Sequence, residues 1–422
     1  MTARTAVVLA VAAAAALLPS SAAASTPAQV VSRAWHGGPA NGPSGTPAVS
    51  ADGRFVAFAS TASNLVPRDR NGHGDIFVRD SWTGLTSLVS GGDGPSYDTP
   101  AISADGRLIA YLTEAADLVP GDVNGLPDVV VTDRRTGRST GVSTGGDRES
   151  AGAPSISADG RFVVFRSAAT NLVPGDTNGV EDVFVRDLRT GGIERVSVAA
   201  DGAQGDRQVH HGTAVSADGR YVVFPSAATN LVPGDTNGSV DMFVKDRATG
   251  AVTRANTTAT GGQSSSYTLM PAITADGGQV FFVAWGDNLV PGDTEDTPDI
   301  FVKTLRTGEI RRVNTSGDGR AADAQPYQPT ISADGRRLAF ASIASNLVPG
   351  DTNNVDDVFV KDLRTGTLTR ISLRANGKQA EDFSLTPALS ADGRTLAFAS
   401  HAKLGSGEGP YPDVYVKPVG RP

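Results

Sequence analysis

The chain has no cysteine in its 422 residues. That excludes disulfides, thiolate metal sites and thiol nucleophiles together, so stability has to come from packing and from closure of the fold. Positive charge is in deficit: the formal net charge is -8, which argues against a nucleic-acid partner and an anionic membrane surface. Histidine is scarce, limited to His36, His73, His210, His211 and His401. Only the adjacent pair could act together, and neither a nucleophile elbow nor a zinc-type His-Glu spacing accompanies it. Carboxylates from distant parts of the chain could still meet as a pair for glycoside cleavage without any local signature. Sustained helical periodicity and long apolar runs are also missing, with one exception at the start. Arg4 precedes an Ala-rich apolar run, Ala6 to Leu18, followed by small residues from Ser20 to Ala24. This reads as a signal peptide over residues 1–24 with the mature start near Ser25, and predicts a secreted protein without membrane insertion.

What the chain has in abundance is glycine, 49 residues, and proline, 25, as an all-β protein with many turns requires. The phrase Ala-Asp-Gly occurs seven times, with Asp52, Asp105, Asp159, Asp218, Asp276, Asp334 and Asp392 at its centre. The spacings are 53, 54, 59, 58, 58 and 58 residues, one repeat register covering nearly all of residues 25–422 and predicting a single domain.

The third unit shows what each repeat contains. A short segment Pro154 to Ser157 leads into the turn Ala158-Asp159-Gly160-Arg161, and Phe162 to Phe165 follows. Asp-Gly between two β-prone runs supplies the positive φ of a tight hairpin, so these are antiparallel strands a and b. A long polar connection leads to strand c, Asp182 to Arg186, and a short turn leads to strand d, Ile193 to Val198. Strands b and c are nearly continuous in Val, Phe, Ile and Ala, so both faces should be covered by neighbouring repeats. Seven four-stranded antiparallel meanders with covered faces describe a seven-bladed β-propeller. The last unit supplies a, b and c only, while Val30-Val31-Ser32-Arg33-Ala34 near the start matches the d strand Ala251 to Ala255. Pairing the two would close the ring and remove the open sheet edges.

The segments SADGRFVVFRS, DVFVRDLRTG and RVS resemble the TolB-type, WD-like propeller repeat, with Ala where that repeat usually carries Pro before Asp-Gly. The resemblance covers roughly residues 28 to 418 and recurs seven times in order. It implies a propeller, commonly in a secreted or periplasmic protein, and no single activity: such propellers serve as partner-binding modules, as gating domains on peptidases and in some polysaccharide lyases. TolB itself is similar to a small α/β domain followed by six blades, whereas this chain counts seven and leaves no room for the extra domain.

Meander geometry puts the a–b and c–d turns on one side of the disc and the b–c and d–a connections on the other. The latter are long and polar, which makes theirs the candidate functional face. Five b–c loops carry Asp-x-Asn with a further Asp six positions after the first: Asp69, Asn71 and Asp75; Asp122, Asn124 and Asp128; Asp176, Asn178 and Asp182; Asp235, Asn237 and Asp241; Asp351, Asn353 and Asp357. The fifth unit has Asp293, Glu295 and Asp299, and the seventh keeps only Asp413. Such loops begin as EF-hand loops begin and suit calcium, but they lack the third loop oxygen and the distant bidentate Glu. The alternative is an Asx-turn in which the last Asp caps the entry to strand c. A second group precedes strand a: Tyr97, His210, His211, Tyr267, Tyr327 and Phe383. These would ring the channel mouth, as a sugar or peptide ligand requires, or pack against the disc. The expectation is a monomeric, secreted, non-catalytic scaffold that binds a protein, peptide or cell-wall glycan on its long-loop face. The alternative is a polysaccharide lyase or hydrolase at the channel mouth, assisted by a divalent metal.

Overall fold

The computed structural model describes residues 26–293, 297–405 and 408–420; the signal-peptide reading of residues 1–24 falls outside them. Strand β1 is Gln29–Val30. Blade 1 follows as β2 (Ser44–Val49), β3 (Phe55–Ser60), β4 (Asp75–Asp80) and β5 (Leu85–Leu88). Blades 2 to 6 are β6 to β25, from Ser96 to Arg370, and blade 7 is β26 (Ser384–Leu389), β27 (Thr395–Ser400) and β28 (Asp413–Pro418). Each blade is a four-stranded antiparallel meander, and β1 completes the seventh by pairing with β28. The chain is an all-β, seven-bladed propeller.

Strands b and c carry the core because their side chains are covered from both faces. Directly opposed b–c pairs place two aromatic rings inside most blades, as in Phe58 with Phe77, Phe165 with Phe184 and Phe398 with Tyr415, at centroid separations of 6.0, 5.6 and 5.7 Å. Every ring in these pairs is at most 1% exposed, so each buries apolar area worth about 1.5–3 kcal/mol. The first strands of neighbouring blades touch one another, which places strand a innermost, beside the central channel.

The sevenfold phrase proves to join blades as well as turn the chain. The Ala51 N–H donates to Ala104 O, Ala104 to Ala158, Ala158 to Ala217, Ala217 to Ala275 and Ala275 to Ala333, each at 3.0 Å. Ala333 donates to Ala391 O at 2.8 Å, and the Asp392 N–H returns to Ala51 O at 3.2 Å. Seven inner turns are thereby tied into one continuous ring of backbone hydrogen bonds. A small residue is needed where seven turns converge on the axis, which accounts for the repeated Ala. Within each turn the Asp takes hydrogen bonds locally: Asp159 Oδ1 accepts from Ser157 Oγ at 2.6 Å and from the Arg161 N–H at 3.0 Å.

Closure follows the expected clasp, shorter in regular pairing than the five residues read from the sequence. Gln29 and Val30 stand opposite Val416 and Tyr415, and the Val31 N–H donates to Val414 O at 2.8 Å. Beyond Val31 side chains take over: Ser32 Oγ donates to the buried Asp413 at 2.8 Å and accepts from the Val414 N–H at 3.0 Å. Strand a is longer than the four residues read from blade 3, running Ser150–Ile156. Its register shifts between Ala151 and Ser155. This bulge breaks the alternation that sequence reading relies on.

Candidate functional site

The bulges on the inner strands lie toward the b–c and d–a end of the channel. Their central residues adopt positive φ even where the residue is not glycine: Thr46 at 46°, Met270 at 57°, Gln328 at 49° and Thr386 at 51°. For a β-branched Thr this left-handed backbone costs about 1–3 kcal/mol, a strain that recurs at ligand sites. Neighbouring bulges are linked, since Gln328 Oε1 accepts from the Thr386 N–H at 2.9 Å.

Between blades 7, 1 and 2 these strands line a cleft of about 560 Å³. Its hollow comes from small side chains at one repeated position of strand b. Ala59 and Ala399 stand there opposite Gly45 and Leu385; blade 6 has the same alanine, Ala341, but opposite the larger Tyr327, while blade 2 carries Leu112 opposite Tyr97 and blade 3 carries Arg166 opposite Ala151. Thr46, Thr386, Tyr97, Phe383 and His401 line its walls. The Phe383 and His401 rings lie 3.9 Å apart, and Tyr97 Oη donates to Glu114 Oε1 at 3.0 Å. Thr386 Oγ1 is buried and has no hydrogen-bond partner. No Asp, Glu, Lys or Arg lines the cleft among the described residues.

Of the six residues singled out before strand a, Tyr97 and Phe383 line this cleft. Tyr267 stacks on Trp285 at 4.4 Å, and Tyr327 packs against the blade 6–7 core. His211 Nδ1 is 3.0 Å from Arg166 Nη2, and Arg166 in turn pairs with Glu181 at 2.8 Å. Burial pushes the proton affinity of His210 down and that of Glu181 up. Sequence reading missed Thr46, Thr386 and His401, and it missed the hollow itself. The available signal was the coincidence of Ala and Gly at matching positions of adjacent repeats.

The Asp-x-Asn loops form Asx-turns. Asn71 Oδ1 accepts from the His73 N–H and Asn124 Oδ1 from the Leu126 N–H, both at 3.1 Å. Asn71 Nδ2 then donates to Asp75 at 2.9 Å and Asn124 Nδ2 to Asp128 at 3.0 Å; the same amide-to-Asp bond joins Asn178 to Asp182, Asn237 to Asp241 and Asn353 to Asp357. In blades 3 to 6 an arginine from strand d stands between the two acids: Arg195 reaches Asp176 and Asp182, Arg254 reaches Asp235 and Asp241, Arg312 reaches Asp293 and Asp299, and Arg370 reaches Asp351 and Asp357. A calcium ion in those loops would have to displace a buried guanidinium. Glu295 falls outside the described residues. Among the described residues no three His, Asp or Glu side chains converge as a metal cluster.

No family model and no curated protein matches the chain. Solved structures do. Oligogalacturonate lyase from Vibrio parahaemolyticus is 13% identical with a TM-score of 0.57, covering 91% of this chain and 92% of that one. The β-propeller domain of the Trilobed protease from Pyrococcus furiosus, described as having an open velcro topology, is 10% identical with a TM-score of 0.55, covering 89% and 95%. TolB from Acinetobacter baumannii is 16% identical with a TM-score of 0.43, covering 88% and 82%. At such identities the likeness is one of fold. The likeness to the Pyrococcus domain upholds the propeller architecture, here in seven blades and with the ring clasped.

Proposed function

We propose that this propeller is a secreted, non-catalytic binding module that takes an uncharged, apolar-rich peptide segment of a protein partner in the cleft between blades 7, 1 and 2. The observation that carries this reading is the cleft's chemistry. A hollow of about 560 Å³ walled by Phe383, Tyr97, Leu385 and small residues has the size and apolar character of a ligand site. The exposed His401 imidazole on the cleft wall supplies a polar group to fix orientation. The Ser44, Ser60 and Ser96 hydroxyls of the lining are taken up by hydrogen bonds within the blades, which leaves a glycan few free partners. A lyase or hydrolase would ask for an acid–base pair, which the lining also does not bring together.

The test is binding of the mature protein to peptide and neutral-glycan arrays, followed by calorimetry on the hits. Uncharged peptides should bind, with affinity falling about tenfold or more in Phe383→Ala. Binding confined to glycans overturns the peptide assignment. Turnover of any polysaccharide, seen as new reducing ends or unsaturated products, overturns the non-catalytic reading.

A further inference from the structure

Four of the seven blades contain a built cation cage. In blade 3 the Nη1 of Arg195 lies 2.8 Å from Asp176 Oδ1, 3.3 Å from Asp182 Oδ2 and 3.0 Å from Gln204 Oε1. Blade 4 repeats the arrangement with Arg254 and Gln263, and blade 6 with Arg370 and Gln379. Blade 5 keeps the arginine and both acids. In each case one nitrogen neutralises two carboxylates that the fold has taken out of water.

Blades 1 and 2 keep the acids and lose the cation. The strand-d position opposite Phe184 is Arg195 in blade 3; opposite the equivalent Phe77 it is Leu88, and opposite Val130 it is Gly141. The glutamine is lost with it, because the connection that carries Gln204 is shortened in both blades, which explains the two short repeat spacings of 53 and 54 residues. Asp75 and Asp128 remain 0% and 1% exposed, with only neutral donors on them: Asn71 and Ser90, and Asn124 and Ser143. Arg68, Arg70 and His73 in the blade 1 loop are exposed.

The acids alone would not define a site. What does is the state of one atom. Asp69 Oδ1 and Asp122 Oδ1 each have less than 1 Å² of exposed surface and accept no hydrogen bond. In Asp176 and Asp235 the same Oδ1 atom is equally buried and accepts no aligned hydrogen bond, but there a guanidinium nitrogen lies 2.8 and 3.1 Å away. The fold thus keeps two buried acceptors aimed at a point which, in four sister blades of the same molecule, a positive charge occupies.

We propose that blades 1 and 2 each bind a hard divalent cation of calcium's class, between Asp69 and Asp75 and between Asp122 and Asp128, in place of the arginine of blades 3 to 6. Two carboxylates and water would complete its oxygen shell, with affinity of about 10⁻⁴ to 10⁻³ M.

Calorimetric titration of calcium chloride into the chelator-treated, full mature chain tests this directly. Two sites per chain are expected, together with a melting midpoint about 2–4 °C higher in 10 mM calcium than in EDTA. Leu88→Arg supplies blade 1 with its own guanidinium and should remove one of the two sites. Asp122→Asn should remove the other, leaving the fold intact by circular dichroism. If no calcium binds and the midpoints coincide, the proposal fails. If Leu88→Arg retains both sites, the ions sit elsewhere and it fails equally. Neither outcome touches the peptide cleft, which holds none of these acids.

Discussion

At the scale of single residues, the repeated Ala-Asp-Gly turn shows how one position answers two demands. Gly219 has φ of +74° and a Cβ added there would lie 2.1 Å from a ring carbon of Phe162, the first residue of strand b in the preceding blade. Gly106 meets Phe55 in the same way at 2.2 Å. Glycine is therefore required both by the turn and by contact between blades. Gly219→Ala should lower stability by about 2–3 kcal/mol, combining the left-handed backbone with an overpacked contact. Gly234→Ala, where φ is +73° and the Cβ would meet nothing within 4 Å, should cost only about 1 kcal/mol. Urea denaturation of the two variants checks this, and equal losses would show that contact between blades contributes nothing at Gly219.

At the scale of elements, the two-residue strand β1 holds the ring shut out of proportion to its length. Ala28 and Val31 enter the cores on either side of blade 7, and Ser32 satisfies the buried Asp413 together with the Val414 N–H. Ser32→Ala leaves that carboxylate short of a donor and should cost about 1–3 kcal/mol. Removing residues 26–34 exposes the whole edge of β28 and should lower the melting midpoint further. A deletion that melts with the full chain would show that the ring needs no clasp.

Strands b and c, the hairpin turns and the clasp were legible in the sequence because each rests on a local pattern: continuous apolar runs, Asp-Gly, and a matching d-type segment. The inner bulges were not. A left-handed Thr46 or Thr386 has no sequence signature, since strain at that position is held by neighbouring blades rather than by the residue. The Asp-x-Asn loops were visible, but their partner was not. Arg195 lies 13 residues beyond Asp182, and only the strand c–d register brings the two together. The RVS segment quoted for its family resemblance already contained that arginine.

At the scale of the whole molecule, seven near-identical blades form a disc whose two faces differ. Short turns, tied by the ring through Ala51, Ala104, Ala158, Ala217, Ala275, Ala333 and Ala391, make one face uniform. Departures from the repeat gather at the other: the small residues of blades 7 and 1 that open the cleft, and the missing arginines of blades 1 and 2. Symmetry stabilises the fold, and function is expected where symmetry breaks. The most direct measurement is hydrogen–deuterium exchange of the protein with and without a peptide selected on the array. The account predicts slowed exchange in segments 44–46, 95–97 and 383–386, with the Ala-Asp-Gly turns unchanged. Protection centred on those turns, or spread evenly over all seven blades, would contradict it.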